Sequence, residues 1–415
     1  MDAKGVARLS APITTIDQLD DNCGSDDAMT AFDTENGFID DVSLDQATSH
    51  NHKKVIFIRD ALPGETVLYQ TVRRKKNFAE ANLIQVLKAS SIRTQPPCPY
   101  FGVCGGCSMQ HIDHQAQVAI KLKVLEDNLW HIGRVKAAQI MPPIVGLPIA
   151  AQIPQIEFAV GDRSLPHYIA LVVRILAPLT MDDETRLKQF ADNHPVQIWL
   201  QIKNPEDAQL FYPPAAKLCY TLPEFSVTMP FKPIDFTQVN HPINRVMIRK
   251  AITLLDIAPS HRVLDLFCGI GNFTLPLARK SHAVVGIEGS QSLVDRALDN
   301  AKFNQLDDHT TFFAKNLFET SAEDVAQWGA FDRWLIDPPR EGAYAVAKAL
   351  SILHQARFQG LPEKIVYISC NPATLARDCG ELVHHAGYQL TAVSTINMFP
   401  HTSHVESIAL LTRPT

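Results

Sequence analysis

The sequence predicts an α/β protein. A Rossmann-like, mostly parallel sheet occupies residues 226–415, preceded by a mixed central domain over 91–225 and a small OB-like β-barrel over 1–90. Three observations carry this. Over the last region, short apolar runs alternate with helical patterns. RVLDLF (262–267), HAVVGIE (282–288), FDRWLID (331–337) and KIVYISC (364–370) read as strands, and Leu293, Val294, Ala297, Leu298 and Ala301 recur at helical spacing. Strands separated by helices build a parallel sheet covered on its faces. Over 53–87, KKVIFIRDALPGETVLYQTVRRKKNFAEANLIQVL alternates short apolar strands with turn residues such as Pro63-Gly64. Finally, 415 residues exceed one ordinary domain.

The chain is 46% hydrophobic and 20% charged, which places it among packed globular proteins. No apolar run reaches membrane-spanning length, and MDAKGVARLSAP lacks a signal-peptide core. A cytoplasmic protein is expected, with its eight cysteines mostly reduced. The net charge of −6 is uneven. Residues 11–50 hold ten acids and no Lys or Arg, and they read as a disordered acidic insertion in the barrel. The remainder carries +4. Residues 53–93 hold nine Lys/Arg against three acids, including Arg73-Arg74-Lys75-Lys76. Such a patch is the electrostatic footprint of a polyanion partner, although a solvated surface run explains the same residues.

The central domain opens on CPYFGVCGGC, where Cys98, Cys104 and Cys107 stand in C-x5-C-x2-C spacing. Clustered thiols in a reducing compartment read as ligands, and a metal or iron–sulfur site normally takes four. A helix is expected near Gln115–Leu129, and β-like stretches such as HYIALVVRIL follow. No internal repeat is evident.

The chemistry concentrates in the last region. LDLFCGIGNFTLPLA (264–278) is a strand, a turn at Gly269 and Gly271, then a helix. The next strand ends in Glu288, where a carboxylate can accept hydrogen bonds from both ribose hydroxyls of a nucleoside. The third glycine of a pyrophosphate-binding turn is Thr274 here. That favours S-adenosylmethionine, which has no pyrophosphate, over a dinucleotide. IDPPREG (336–342) closes another strand with Asp337 and a proline-stiffened loop. Asp and Arg340 there argue against an exocyclic amine as the methyl acceptor. In YISCNPATLARD (367–378), Cys370 ends a strand and Pro372 starts a helix. A thiol near a helix N-terminus is expected to have a lowered pKa and to serve as a nucleophile. Cys379 shares a helical face with Leu375, Leu382 and Val383, and Cys268 sits inside the glycine turn. Both read as packing residues.

These stretches, together with KGVAR (4–8), DFTQVN (235–240) and MFPHTSHVES (398–407), resemble the uracil-C5 RNA methyltransferases, specifically the branch acting on bacterial 23S ribosomal RNA. The resemblance is dense over 210–415 and patchy before it. It implies a TRAM-type barrel, a central domain carrying a 4Fe–4S cluster on Cys98, Cys104, Cys107 and a fourth ligand, and an S-adenosylmethionine-dependent methyltransferase domain. It implies 23S ribosomal RNA as partner, with no membrane and no DNA. By match to the family's motifs, Cys370 is the nucleophile that adds to uracil C6 and Glu406 the base that removes the C5 proton. Gln238, Phe267, Asn272, Glu288, Asn316 and Asp337 match positions holding S-adenosylmethionine.

Three departures stand out. Asn397 occupies a position where the family commonly has Asp. After PPIVGLP (142–148) a basic family segment is missing, a loss of roughly 60 residues from a domain-sized region. No cysteine lies between Cys107 and Cys219, and Cys219 stands where the family keeps no ligand. The fourth cluster ligand is therefore unidentified. A tRNA uracil-C5 methyltransferase shares the C-terminal motifs but lacks the C-x5-C-x2-C stretch. A catalytically impaired RNA-binding variant is the other alternative, given the shortened centre.

Overall fold

The computed structural model describes residues 4–7, 30–33, 55–143, 158–161, 168–175, 178–194, 196–201 and 208–414. The chain forms two compact units. Unit 1 comprises Met1–Ala119, Pro148–Pro154 and Pro400–Ser403, and unit 2 comprises Ile120–Leu147, Gln155–Phe399 and His404–Thr415.

Unit 1 contains β1 (Lys4–Ala7), β2 (Thr30–Asp33), β3 (Val55–Arg59), β4 (Thr66–Arg74) and β5 (Phe78–Lys88). They form one sheet in the order β1-β3-β5-β4-β2, with β3 and β5 parallel and the other pairs antiparallel. Alternation of side chains puts Ile56, Ile58, Val67, Tyr69, Ala79 and Ala81 on one buried face. Five strands is the count of an OB-type barrel. No pairing of β1 with β2 closes the sheet among the described residues. Strand β2 corrects the expectation of a structureless insertion over 11–50. Thr30–Asp33 pairs with Tyr69–Thr66, which satisfies backbone groups that β4 would otherwise present as an open edge. Residues 73–76 form the exposed tip of the β4–β5 hairpin, closed by the Lys75 N–H on the Phe78 carbonyl at 2.8 Å.

Buried Glu65 organises the turn after β3. Its carboxylate accepts from both the Nε and Nη2 of Arg93 and from the Leu62 and Ser90 N–H groups. Burial opposes the charge, but these donors prevail and hold the carboxyl below its ordinary range. The segment Pro400–Ser403 completes this unit. The His401 carbonyl accepts from the Ser108 and Met109 N–H groups at 3.0 Å, and the His401 N–H donates to Gln117 Oε1 at 3.1 Å.

Helix α1 (His114–Asn128) carries the chain into unit 2. After β6 (Gln139–Ile140) come β7 (Phe158–Val160), β8 (Ile169–Arg174), α2 (Met181–Asn193), β9 (Val196–Gln201) and β10 (Gln209–Tyr212). Strands β7 to β10 make a four-stranded sheet. Helix α2 starts on a capping box between Thr180 and Asp183. The hairpin β11 (Leu218–Leu222) and β12 (Val227–Phe231) leads to α3 (His241–Leu255).

The main sheet then assembles. Its elements are β13 (Arg262–Leu266), α4 (Thr274–Ala278), β14 (Ala283–Glu288), α5 (Gln291–Phe303), β15 (Thr310–Ala314), α6 (Ala322–Trp328), β16 (Arg333–Ile336), α7 (Tyr344–Gln355), β17 (Lys364–Ser369), α8 (Pro372–His385), β18 (Gln389–Ile396) and β19 (Glu406–Thr412). The eight-stranded order is β15-β14-β13-β16-β17-β19-β18-β6. Strands β13 to β17 are mutually parallel, and β19 lies antiparallel between β17 and β18. Successive residues feed opposite cores: Val263, Leu335 and Val366 one, Leu264, Ile336 and Tyr367 the other. Burial on both faces explains why these strands read as near-continuous apolar runs.

Two consequences matter for chemistry. Strand order reverses beside β13, which has β14 on one side and β16 on the other, and such a switch point opens a crevice at the carboxyl edge. Because β19 is antiparallel, its first residue reaches that same edge. The register pairs Ser369 with Ser407, so one further step sets Cys370 opposite Glu406.

Candidate active site

The site is built from the ends of the parallel strands. After β13 the backbone turns through positive φ at Phe267 (63°), Gly269 (54°) and Gly271 (94°). The Phe267 and Cys268 N–H groups both donate to the Ile287 carbonyl, tying the turn to β14. Space is open in front of Gly269, where a Cβ would have no neighbour within 4 Å. Behind the turn Cys268 is buried, as its place in the motif predicts, and packs against Gly286, where a Cβ would come within 2.9 Å of its Sγ.

Glu288 ends β14, half-buried, and its two oxygens accept from the Gly269 and Ser290 N–H groups, each at 3.1 Å. An ionised carboxylate has lone pairs left for further donors. Beside it, Asn316 is exposed and caps the Phe318 N–H at 3.1 Å. The Phe267 ring lies 5.6 Å from that of Phe318, which is 49% exposed and offers an apolar face at the sheet edge.

Asn272 is half-buried. Its Oδ1 accepts from Tyr220 OH (2.8 Å) and Asn244 Nδ2 (2.9 Å), while its Nδ2 donates to Asn244 Oδ1 (3.1 Å). The side chain fastens the turn to β11 and α3. Gln238 is buried in the segment before α3.

Asp337, immediately after β16, is half-buried, and the loss of solvation there pushes its carboxyl up to about 7. The loop beyond it is held by α8. The Arg340 carbonyl accepts from Asn371 Nδ2 (3.0 Å) and Thr374 Oγ1 (3.2 Å). Asp378 accepts from the Ala343 N–H (2.7 Å) and from Tyr367 OH (2.6 Å). DPPREGA and SCNPATLARD are thus two halves of one structure.

Cys370 is half-buried at the end of β17, and Pro372 does open α8 as expected. The expected lowering of its pKa is overturned. Burial raises the thiol above its ordinary range, and Glu406 and Asp337 raise it further, while Arg340 only partly offsets them. Two facing carboxyls and low solvation outweigh the helix terminus. Glu406 is 4% exposed, and its carboxyl is pushed well up by burial and then by Asp337. Asp265, an acid inside the apolar strand β13, was not singled out from the sequence. It is buried and pushed up to about 8, with Thr274 Oγ1 donating to it at 2.5 Å. A charged residue within an apolar strand run was the available signal. Loss of solvation thus raises all three carboxyls above their ordinary range.

The cysteine loop does not assemble a metal site. Cys98 and Cys107 are half-buried and Cys104 is exposed. Among the described residues no group of three His, Cys, Asp or Glu side chains converges. Gln110 instead bridges the loop, donating to Cys107 Sγ (3.1 Å) and accepting from the Cys98 N–H (3.2 Å). Among the described residues, these three thiols do not complete the four-ligand set of a 4Fe–4S cluster. Among the described residues, no helix is long and apolar enough to cross a membrane.

A switch-point crevice, an open glycine turn and a strand-end acid are the features of S-adenosylmethionine-dependent methyltransferases, and comparisons agree on the fold. The structure is similar to Pyrococcus abyssi tRNA (uracil-54, C5)-methyltransferase in complex with S-adenosyl-L-homocysteine (TM-score 0.63, 20% identity, covering 86% of this chain and 95% of that one). The profile of the family described as tRNA (Uracil-5-)-methyltransferase matches residues 227–414. A Cupriavidus necator protein named 23S rRNA (uracil(1939)-C(5))-methyltransferase RlmD is 51% identical over 420 aligned positions, covering 87% of this chain and 94% of the relative. A Burkholderia pseudomallei protein of the same name is 50% identical, covering 87% and 90%. The chain belongs to the RlmD-type family of RNA uracil-C5 methyltransferases. Because 420 aligned positions exceed the 415 residues present, the Cupriavidus relative carries sequence that this chain lacks.

Proposed function

We propose that the protein transfers a methyl group from S-adenosylmethionine to C5 of a uridine in 23S ribosomal RNA, the one that its relatives' name numbers 1939. The supporting observation is the opposition of Cys370 and Glu406 across the β17–β19 register, beside the crevice lined by Gly269 and Glu288. Glu288 would hold the ribose, Phe267, Phe318 and Asn316 the base, and Gln238 and Asp337 the remainder, with Asn272 acting through the turn. S-adenosylmethionine supplies an electrophilic methyl group.

The chain's own residues supply the rest. Uracil C5 is a poor nucleophile. Addition of the Cys370 thiolate to C6 forms an S–C6 bond and makes C4–C5 an enolate, so that C5 can take the methyl group as its bond to sulfur breaks. Glu406 then removes the C5 proton, the C5–C6 double bond re-forms and the thiolate leaves. The target uridine must leave its stack to reach this edge. The barrel over 1–90, with its exposed basic hairpin tip, is the proposed RNA-holding domain, followed by the central domain over 91–225 and the methyltransferase domain over 226–415. The proposed location is the cytoplasm.

Methylation of transcripts tests the substrate. A 23S fragment containing the target uridine should gain 5-methyluridine while transfer RNA gains none. Methylation of transfer RNA alone favours the tRNA reading, and S-adenosylmethionine binding without any turnover favours a non-catalytic RNA-binding variant. A 4Fe–4S cluster on Cys98, Cys104 and Cys107 would need a fourth ligand besides these three thiols. No step depends on it. Iron and sulfide content of anaerobically purified protein tests the cluster: fewer than about three irons per chain argues against it, and four irons with matching sulfide supports it.

A further inference from the structure

Lys121, on α1, is 2% exposed. A lysine so buried is ordinarily paired with a carboxylate. This one forms no ion pair among the described residues. Its Nζ donates instead to Asn397 Oδ1 and to the Phe399 carbonyl, both at 2.9 Å. Asn397 is itself 2% exposed, and its Nδ2 is buried with no partner. The pocket therefore holds one donor too many. A carboxylate at 397 would compensate the ammonium and replace the orphaned donor with an acceptor.

The position of this pair gives it a role. Ile396 and Glu406 are the last register pair of β18 and β19, and Asn397 and Phe399 are the first and third residues of the loop between them. The two bonds from Lys121 hold the start of the loop, one and three residues beyond the Ile396–Glu406 pair. Two histidines lie in this loop: His401, whose Nδ1 is 3.3 Å from Gln117 Nε2 on α1, and His404, which interacts with the charge of Lys121. The His404 imidazole is held below its ordinary range by burial, then by Arg340 and Lys121, and Arg340 Nη2 lies 3.2 Å from its Nδ1.

We propose that Lys121 is a positioning residue for proton removal by Glu406, its ammonium holding the 397–405 loop through bonds whose charge Asn397 leaves uncompensated. The proposal rests on the uracil-C5 reaction above. Burial lowers Lys121 to about 8. Above that pH a neutral amine replaces the ammonium, and its hydrogen bonds are roughly half as strong as charge-assisted ones. The hold on the loop then slackens.

Single-turnover reactions on the 23S fragment separate the step affected from the others. Formation and resolution of the covalent protein–RNA adduct are read on denaturing gels from neutral to alkaline pH. In the wild type, resolution should slow as pH passes about 8. Asn397→Asp should carry that fall upward by about one pH unit or more, because an ion pair favours the charged amine. Lys121→Met should slow resolution roughly tenfold at every pH, leaving formation within about twofold. An unchanged pH profile in Asn397→Asp overturns the proposal, and that variant decides the matter if Lys121→Met fails to fold. Wild-type resolution that stays level through the alkaline range also overturns it. A wild type that forms no adduct at all overturns the functional reading with it.

Discussion

Cys370→Ala should reduce methyl transfer to background, with no 5-methyluridine detectable in the 23S fragment. Without the S–C6 bond the uracil ring never becomes an enolate, and C5 has no electron pair to offer. Neighbouring thiols cannot substitute, since Cys268 is 5% exposed behind the glycine turn and Cys379 is fully buried in α8. S-adenosylmethionine binding, followed by calorimetry, should stay within about twofold, because the matched cofactor positions lie elsewhere on the edge. Normal turnover by this variant would remove the covalent route. The same thiol sets a pH dependence. Its folded pKa is raised by burial, Glu406 and Asp337, so its thiolate is scarcer at neutral pH than that of a free cysteine. Adduct formation should therefore keep rising with pH through and beyond the ordinary thiol range.

Glu406→Gln should have the opposite signature, with the adduct forming and then persisting. The amide is nearly isosteric with the carboxyl but cannot accept the C5 proton, so the thiolate is not expelled. Resolution should fall by about three orders of magnitude or more, within the range a positioned general base supplies together with its electrostatics. A stable RNA–protein band on a denaturing gel checks this, and its absence alongside normal product would eliminate Glu406 as the base. The raised pKa of Glu406 carries its own sign. The base form appears only as pH rises past a value well above the ordinary carboxylate range, so resolution in the wild type should slow already at mildly acidic pH.

Much of this edge was legible along the chain. RVLDLF, HAVVGIE, FDRWLID and KIVYISC became β13, β14, β16 and β17, because strands buried on both faces must be apolar throughout. Strand β15 was not picked out. TTFFA is short and holds an edge of the sheet, so only alternate residues need be buried, and it leaves little periodic signal. Strand β2 was hidden in acidic sequence, since pairing with β4 uses backbone groups that composition does not report.

The sequence by itself determined the chemistry-bearing types and their order: a glycine turn, a strand-end acid, a cysteine before a helix-starting proline, and a glutamate after MFPHTSHV. Local spacing encodes these, because each depends on one turn or one strand end. Only the tertiary structure decided how the groups act on one another. Antiparallel insertion of β19 brings Glu406 opposite Cys370, 36 positions away along the chain, and that approach raises the thiol where an isolated helix N-terminus would lower it. It also turned Asn272 inward to Asn244 and set a lysine of α1 against Asn397. Burial and through-space charge are sums over neighbours from distant segments, and the order of residues along a chain does not contain those distances.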